Sequence, residues 1–321
     1  MTNLFEVFDR KEEYCSCENI RNGFNFYRSN KVSSCCYSLD EELTILKADE
    51  YKGDLKKAAK KIIEFQNNLI KLHKSGNAPE TCKKCVHFKK SLWKNHINKK
   101  FGWISLNHYK VCNLKCTHCG YTKGDDLEKD SDHGLVLELI NQFSEMNHLS
   151  KNLVLAIGGG EPSINKGIEK ILQYCIDKNY HALINSNGAK FSPLIAKGVN
   201  MDLFTLDLTP DAGSREVYAK IKGVDCFDLT WKNIKEYMDN TEQKANVKFI
   251  IEAGNADDVP NMIDTCIKNN VRNVKLSFDL GIDKKDFELY RKPVNDFINL
   301  CRTNNFNLEI NSFVPTEIVD R

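Results

Sequence analysis

From about residue 102 onward, short apolar runs alternate with segments whose apolar positions recur every three to four residues. The runs cover 102–107, 152–157, 181–184, 203–208, 247–251 and 274–278. The helix-period segments lie near 134–147, 165–178, 191–198, 227–240, 258–269 and 284–304. Strands alternating with helices predict βαβ units and a parallel sheet. Six such units, with a seventh strand at 307–310, predict an α/β fold of the partial (β/α)6 barrel type. Each apolar run ends in polar or glycine-rich sequence, at 112–119, 158–161, 185–188, Asp207, 252–255 and Asp279. Barrel active sites are built from the loops after the C-terminal strand ends. One rim therefore gathers three thiols, several carboxylates and two glycine-rich turns, although ordinary turn usage accounts for Asn255 and Asp279 taken singly.

Residues before 100 have another texture. Two strands, 22–28 and 31–37, flank Ser29-Asn30 as a hairpin, and Cys35 and Cys36 sit on the second. Asp54 is placed to cap a helix running to Lys74, whose stripe of Leu55, Ala58, Ile62, Phe65, Leu69 and Leu72 ends before Gly76. Cys82-Lys-Lys-Cys85 follows. The pattern divides the chain near 99–102, into a small Cys-rich α+β domain (1–100) and the barrel (101–321).

The apolar fraction of 41 % supplies a sizeable core and excludes wholesale disorder. With 46 basic against 44 acidic residues the net charge is +2, so the chain as a whole has no pull toward nucleic acid or an acidic membrane. No apolar run approaches the ~18 residues of a membrane span. Glu6 and Asp9 interrupt the first apolar stretch, so no signal peptide is read there and a cytoplasmic location is expected. Thirteen cysteines in a reducing compartment point to metal or redox work. Cys175, Cys226, Cys266 and Cys301 stand singly among apolar residues and read as core filling.

Cys112-Asn-Leu-Lys-Cys116-Thr-His-Cys119 concentrates three thiols in one loop. Structural zinc wants four ligands, and ferredoxin runs have another spacing. Three thiols on a four-iron cluster leave one iron open to a further ligand. Together with Gly159-Gly160-Glu161-Pro162 after the second strand, this Cys-x3-Cys-x2-Cys loop resembles the radical S-adenosylmethionine (SAM) superfamily. The resemblance implies a 4Fe–4S cluster on Cys112, Cys116 and Cys119. It implies also that the open iron chelates the methionine part of SAM, and that reduction cleaves SAM to a 5′-deoxyadenosyl radical. Gly159 and Gly160 would let the backbone approach the cofactor, Glu161 would receive its ammonium, and His118, with Tyr121 near, would lie over the adenine. Asn185 and Asn187, and Asp207 on the next strand, resemble the family's ribose-contacting positions, with a plain turn role as the alternative.

The order hairpin with Cys-Cys, helix, Cys-x2-Cys resembles the auxiliary-cluster modules called SPASM or twitch domains, which usually follow the barrel. The ligand set it implies for a second 4Fe–4S cluster is Cys17, Cys35, Cys82 and Cys85, with Cys15 and Cys36 as rivals. Tetrahedral zinc and a three-thiol cluster stay open. Residues 83–100 carry seven lysines among His87, Phe88, Trp93 and His96. They read as a linker whose Phe88 and Trp93 pack inward, ahead of a docking face for an acidic electron donor such as flavodoxin. A surface for RNA comes third.

The expectation is thus an enzyme that cleaves SAM reductively and, with an auxiliary cluster, oxidises or forms a bond on a small molecule or peptide. RNA modification and a non-catalytic iron–sulfur electron carrier are the alternatives.

Overall fold

The computed structural model describes residues 12–35, 41–47, 50, 53–85, 87–93, 100–120, 130–279 and 281–320. By contacts the chain divides into two units, one from residues 1–109 and 128–156, the other from 110–127 and 157–321. Cys36, His96 and Tyr121 lie outside the described residues.

In the first unit, β1 (Glu12–Ser16) leads into the short helix α1 (Glu18–Asn22) and the hairpin of β2 (Gly23–Tyr27) and β3 (Lys31–Ser33). Ser29 and Asn30 both adopt left-handed backbone angles (φ 56° and 54°), which match the twist of a two-residue hairpin. β4 (Thr44–Leu46) pairs antiparallel with β3. Helix α2 (Leu55–Lys74) starts where expected, because the Asp54 side chain accepts from the Lys57 N–H at 2.8 Å. Helix α3 (Glu80–Lys83) and strand β5 (Lys89–Trp93) follow, and β5 pairs antiparallel with β1. Then come β6 (Phe101–Asn107), α4 (His133–Glu145) and β7 (Leu149–Ile157).

The unit's larger sheet runs β7-β6-β2-β3-β4. Its parallel β2–β6 pairing, with Phe24 opposite Ile104, was not expected from the sequence. Phe24, Phe101 and Phe143 pack ring to ring at 5.0–5.3 Å in the core between sheet and α4. Trp93 is buried and its Nε1 donates to the Tyr14 carbonyl at 2.8 Å, while Phe88 packs on the His73 ring. Both aromatics of the lysine stretch are therefore turned inward.

The second unit continues with α5 (Lys166–Lys178), β8 (His181–Ser186), α6 (Pro193–Asn200), β9 (Phe204–Leu208), α7 (Arg215–Lys222) and α8 (Phe227–Asn240). It ends with β10 (Asn246–Ile251), α9 (Val259–Lys268), β11 (Asn273–Phe278), α10 (Arg291–Thr303) and β12 (Asn307–Ile310). Its strands lie in the order β8-β9-β10-β11-β12, every pair parallel, as the strand–helix alternation predicts. Two details differ from the periodicity. Helix α7 was not expected, and the segment read as one helix over 284–304 is a 3₁₀ segment (Lys284–Tyr290) followed by α10.

Two outcomes test the packing of the first unit. A Cβ on Gly23 would stand 1.6 Å from the Trp103 carbonyl oxygen, so Gly23→Ala must push β2 off β6. We expect it to cost roughly 1–3 kcal/mol, read as a lower denaturation midpoint. Burial pushes the imidazoles of His73 and His108 down, to about 4 and about 3, with Arg21 and His133 adding to the effect. Because the unfolded chain takes up these protons near pH 6.5 and the folded chain does not, stability falls as pH drops below about 6.5. The loss should approach ~2 kcal/mol per histidine by pH 5. Chemical denaturation across that range, with His73→Asn expected to flatten the slope, measures it.

Candidate functional site

The second unit carries the three-cysteine loop, and helix α7 holds that loop in place. The last carbonyls of a helix have no partner within it. Here the Lys222 and Ile221 carbonyls accept from the Lys115 and Thr117 N–H groups, each at 2.9 Å. Gly223 ends the helix at φ 67°, and a Cβ there would meet the Lys115 oxygen at 2.7 Å. The loop thus lies along the helix end with Cys116 between its two anchors.

Lys222 is buried, and its Nζ stands 2.5 Å from Oδ2 of the buried Asp211. Burial pulls the ammonium down, but Asp211 and Cys116 outweigh it and leave the group above its ordinary value. The other Asp211 oxygen accepts from the Ile250 N–H at 2.9 Å. Burial pushes the Cys116 thiol up to about 11, opposed by the Lys222 cation and helped by Asp211. Next to it, His118 lies between Glu252 (3.5 Å) and Asp211 (3.8 Å). Burial lowers its affinity for a proton, yet these two carboxylates raise it more, and the net shift is upward. Glu252 also accepts from the Thr117 hydroxyl at 2.9 Å.

Gly159, Gly160 and Glu161 close the other side of the loop. Gly159 has φ 94°, and a Cβ on Gly160 would lie 2.2 Å from the Val111 oxygen, so the two chain segments are in backbone contact. The Glu161 N–H donates to that same oxygen at 2.8 Å. The Glu161 side chain is buried and accepts from the Ser163 N–H (3.0 Å), the Ser186 hydroxyl (2.8 Å) and the Asn187 N–H (2.7 Å). Burial raises its pKa, with those donors pulling the other way. A carboxylate has about four acceptor positions, so one is left for a further donor. The Asn187 amide reaches Asn113 at 2.9 Å and the Cys112 sulfur at 3.7 Å.

The structure therefore brings Cys112, Cys116, His118, Gly160, Glu161 and Asn187 around one loop, and Cys119 joins through its N–H to the Cys116 carbonyl. Asn185 and Asp207 sit lower on the sheet. Asn185 is next to Lys248 (3.4 Å), and Asp207 is bound by Lys275 (3.0 Å) and Asn246 (2.9 Å). The sequence reading missed Lys222, Asp211 and Thr117, and had Glu252 only among the strand-end residues 252–255. Cys175, Cys266 and Cys301 are fully buried core residues, but Cys226 is half-buried with its sulfur 3.2 Å from the Tyr218 hydroxyl.

In the first unit, Cys17 and Cys82 lie in an apolar cluster with Ile20, Leu43, Leu69 and Ala78, with Cys35 packed against it. Burial pushes the Cys82 thiol up to about 12, and Cys35, Cys17 and Cys85 push it further the same way. Cys17 is raised by burial and by Cys85 and Cys35. Cys17 and Cys82 thus each lie within electrostatic reach of Cys35 and Cys85. Cys15 is on β1, opposite Lys90 of β5. Among the described residues, no three donors of the His, Cys, Asp and Glu type enclose a single metal ion.

An α/β fold of parallel strands, with three thiols and a buried glutamate meeting at one loop, defines a class. Residues 106–266 match the Radical SAM superfamily, half of the chain, and the protein belongs to that family. The family brings with it a 4Fe–4S cluster and SAM. The relatives it matches are enzymes. Fe-coproporphyrin III synthase of Methanosarcina barkeri is 27 % identical over 167 residues, 50 % of this chain and 40 % of that one. Mycofactocin maturase MftC of Mycolicibacterium smegmatis is 22 % identical, covering 46 % and 37 %. A probable GTP 3′,8-cyclase of Saccharolobus islandicus is 24 % identical, covering 60 % and 64 %. The chain thus spans less than two thirds of the length of these relatives. Among solved structures, SuiB of Streptococcus suis bound to its precursor peptide SuiA superposes with a TM-score of 0.55 at 15 % identity, covering 86 % of this chain and 57 % of that one. No described helix is long and apolar enough to cross a membrane.

The Lys222–Asp211 pair yields a double-mutant test. Lys222→Met leaves a buried carboxylate unpaired and should cost about 3–5 kcal/mol. Adding Asp211→Asn, which tolerates the left-handed backbone at 211 (φ 55°), should recover more than half. Equilibrium denaturation of the three variants checks it.

Proposed function

We propose that this chain cleaves SAM reductively and, with a second iron–sulfur cluster, oxidises or forms a bond on a small molecule or peptide. The observation that carries this reading is the three-thiol loop pinned between the end of α7 and the Gly159-Gly160-Glu161 turn. The donor set fits the family's cofactors, and Cys112, Cys116 and Cys119 would hold the 4Fe–4S cluster. Bound there, cluster and SAM supply a 5′-deoxyadenosyl radical, the family's agent of hydrogen abstraction.

The remaining work falls to the chain's own residues. Glu161 keeps one acceptor position for the cofactor's ammonium, and Ser186 and the Asn187 backbone hold it in place. Gly160 lets this turn close directly on the Val111 backbone, and Gly159 supplies the left-handed angle the turn needs. The Lys222 cation offsets negative charge gathered at Cys116. His118, held by Glu252 and Asp211, is the ring available beside the adenine, and Asn187 the amide available beside the ribose.

In the first unit Cys17, Cys35, Cys82 and Cys85 would hold the auxiliary 4Fe–4S cluster, which supplies an acceptor for the second electron. The burial of Cys17 and Cys82 in an apolar cluster, with Cys35 and Cys85 within electrostatic reach, supports this, since burial is one of the levers on cluster potential. An acidic donor such as flavodoxin would meet the exposed Lys84 and Lys89 nearby. Phe88 and Trp93 pack inward and are not offered for stacking, which disfavours RNA.

After anaerobic reconstitution we expect about eight irons per chain, falling to about four when Cys112, Cys116 and Cys119 are all replaced by Ala. Only the lost signal should respond to SAM in the reduced spectrum. Cys116→Ala alone should abolish 5′-deoxyadenosine formation. Its survival would overturn the assignment, and stoichiometric zinc in place of the second four irons would make the front thiols structural.

A further inference from the structure

Parallel sheets are ordinarily covered on both faces. In the second unit the helices cover one. Phe204 abuts Gly198 of α6, Phe249 stacks on Phe297 of α10 at 5.4 Å, and Phe278 meets Tyr290 at 5.3 Å. The intervening residues turn to the other face, and apart from Leu183 and Ile250 they are polar. The strand register sets Asn185 beside Asp207, and Lys248 beside Lys275 and then Glu309.

Two lysines directly opposite each other repel. Only one is neutralised. Lys275 is buried and bonds Asp207 at 3.0 and 3.1 Å and Glu309 at 3.3 Å. Lys248 is half-buried, and its ammonium meets the neutral Asn185 side-chain oxygen at 3.4 Å but no carboxylate among the described residues. The Asn185 amide is exposed, with its Nδ2 donors uncommitted among the described residues.

The position of this pair is informative. Two residues past Asn185 is Asn187, which touches Cys112, and four residues past Lys248 is Glu252, which holds Thr117 and His118. Two strand residues advance roughly 7 Å and four roughly 13 Å. A group bound at Lys248 therefore lies one small molecule's length from the cysteine loop.

We infer that Lys248, with the Asn185 amide, is the anchor for an oxyanion of the substrate, a carboxylate or a phosphate, whose reacting carbon lies toward the cysteine loop. The ammonium supplies the charge, and the amide donates a second hydrogen bond that selects an oxygen acceptor. This deepens the proposed function and rests on it for the location of the chemistry.

The test is calorimetric titration of the full-length, anaerobically reconstituted chain with inorganic phosphate and, separately, acetate, at constant ionic strength. One anion should saturate a single site, and the tighter of the two identifies the substrate's group. Lys248→Met should weaken that binding roughly tenfold or more, Asn185→Ala by less, and Lys248→Arg should largely restore it. Lack of saturable uptake of either anion by the wild type overturns the inference. So does a Lys248→Met variant that titrates like wild type, which would mean an adventitious ion only. Iron content and the spectral response to SAM are read on the same samples. If the wild type fails to respond to SAM while its anion site is intact, the functional reading fails and the anion site stands.

Discussion

The site depends on the end of one short helix. α7 finishes with carbonyls that its own hydrogen bonds cannot satisfy, and the backbone of the cysteine loop fills them. The same helix end brings in a buried ammonium, where a cation is favoured by the aligned peptide dipoles. Lys222 then requires Asp211, because an unpaired buried charge is costly. Asp211 in turn ties into the end of β10 through the Ile250 N–H. Loop, helix and strand end are thus linked by a chain of obligatory partners, and the thiols inherit their placement from it.

How far this could be read from the chain depended on the range of each interaction. The strands of the parallel sheet were legible because short, largely apolar runs punctuated by turns need no tertiary information. The hairpin was legible from Ser29-Asn30, and α2 from Asp54, because both signals are local. The three-thiol loop was legible for the same reason, with all three thiols inside eight residues. Helix α7 was not. Its eight residues are too few to be stable alone, and it is held by what it caps. Lys222 carries no mark in sequence to separate it from surface lysines, since only Asp211 and Cys116 make it special. β2 beside β6 was hidden likewise, because the pairing joins a hairpin to a strand some eighty residues away.

The front thiols show the intermediate case. The Cys-x2-Cys spacing gave two candidates locally, and their companions came from a resemblance between motifs. The structure buries Cys17 and Cys82 in an apolar cluster, with the half-buried Cys35 and Cys85 within electrostatic reach of both. Such a setting is unfavourable for four separate thiolates and favourable for sulfur whose charge is shared with a metal. The lysine-rich stretch beyond them owes its inward aromatics to the pairing of β5 with β1, which no local pattern announced.

The linkage at α7 also has a meaning for the order of assembly. Thr117 is bonded to Glu252, 135 positions away, and Lys115 to Lys222, more than a hundred away. Contacts of such separation form late, because the entropy of closing the intervening chain is lost before they give anything back. The three thiols lie close in sequence from the moment they are synthesised, yet the backbone that fixes them is completed only when the second unit is whole. Their spacing is thus written locally, while their fixed arrangement is a property of the finished fold.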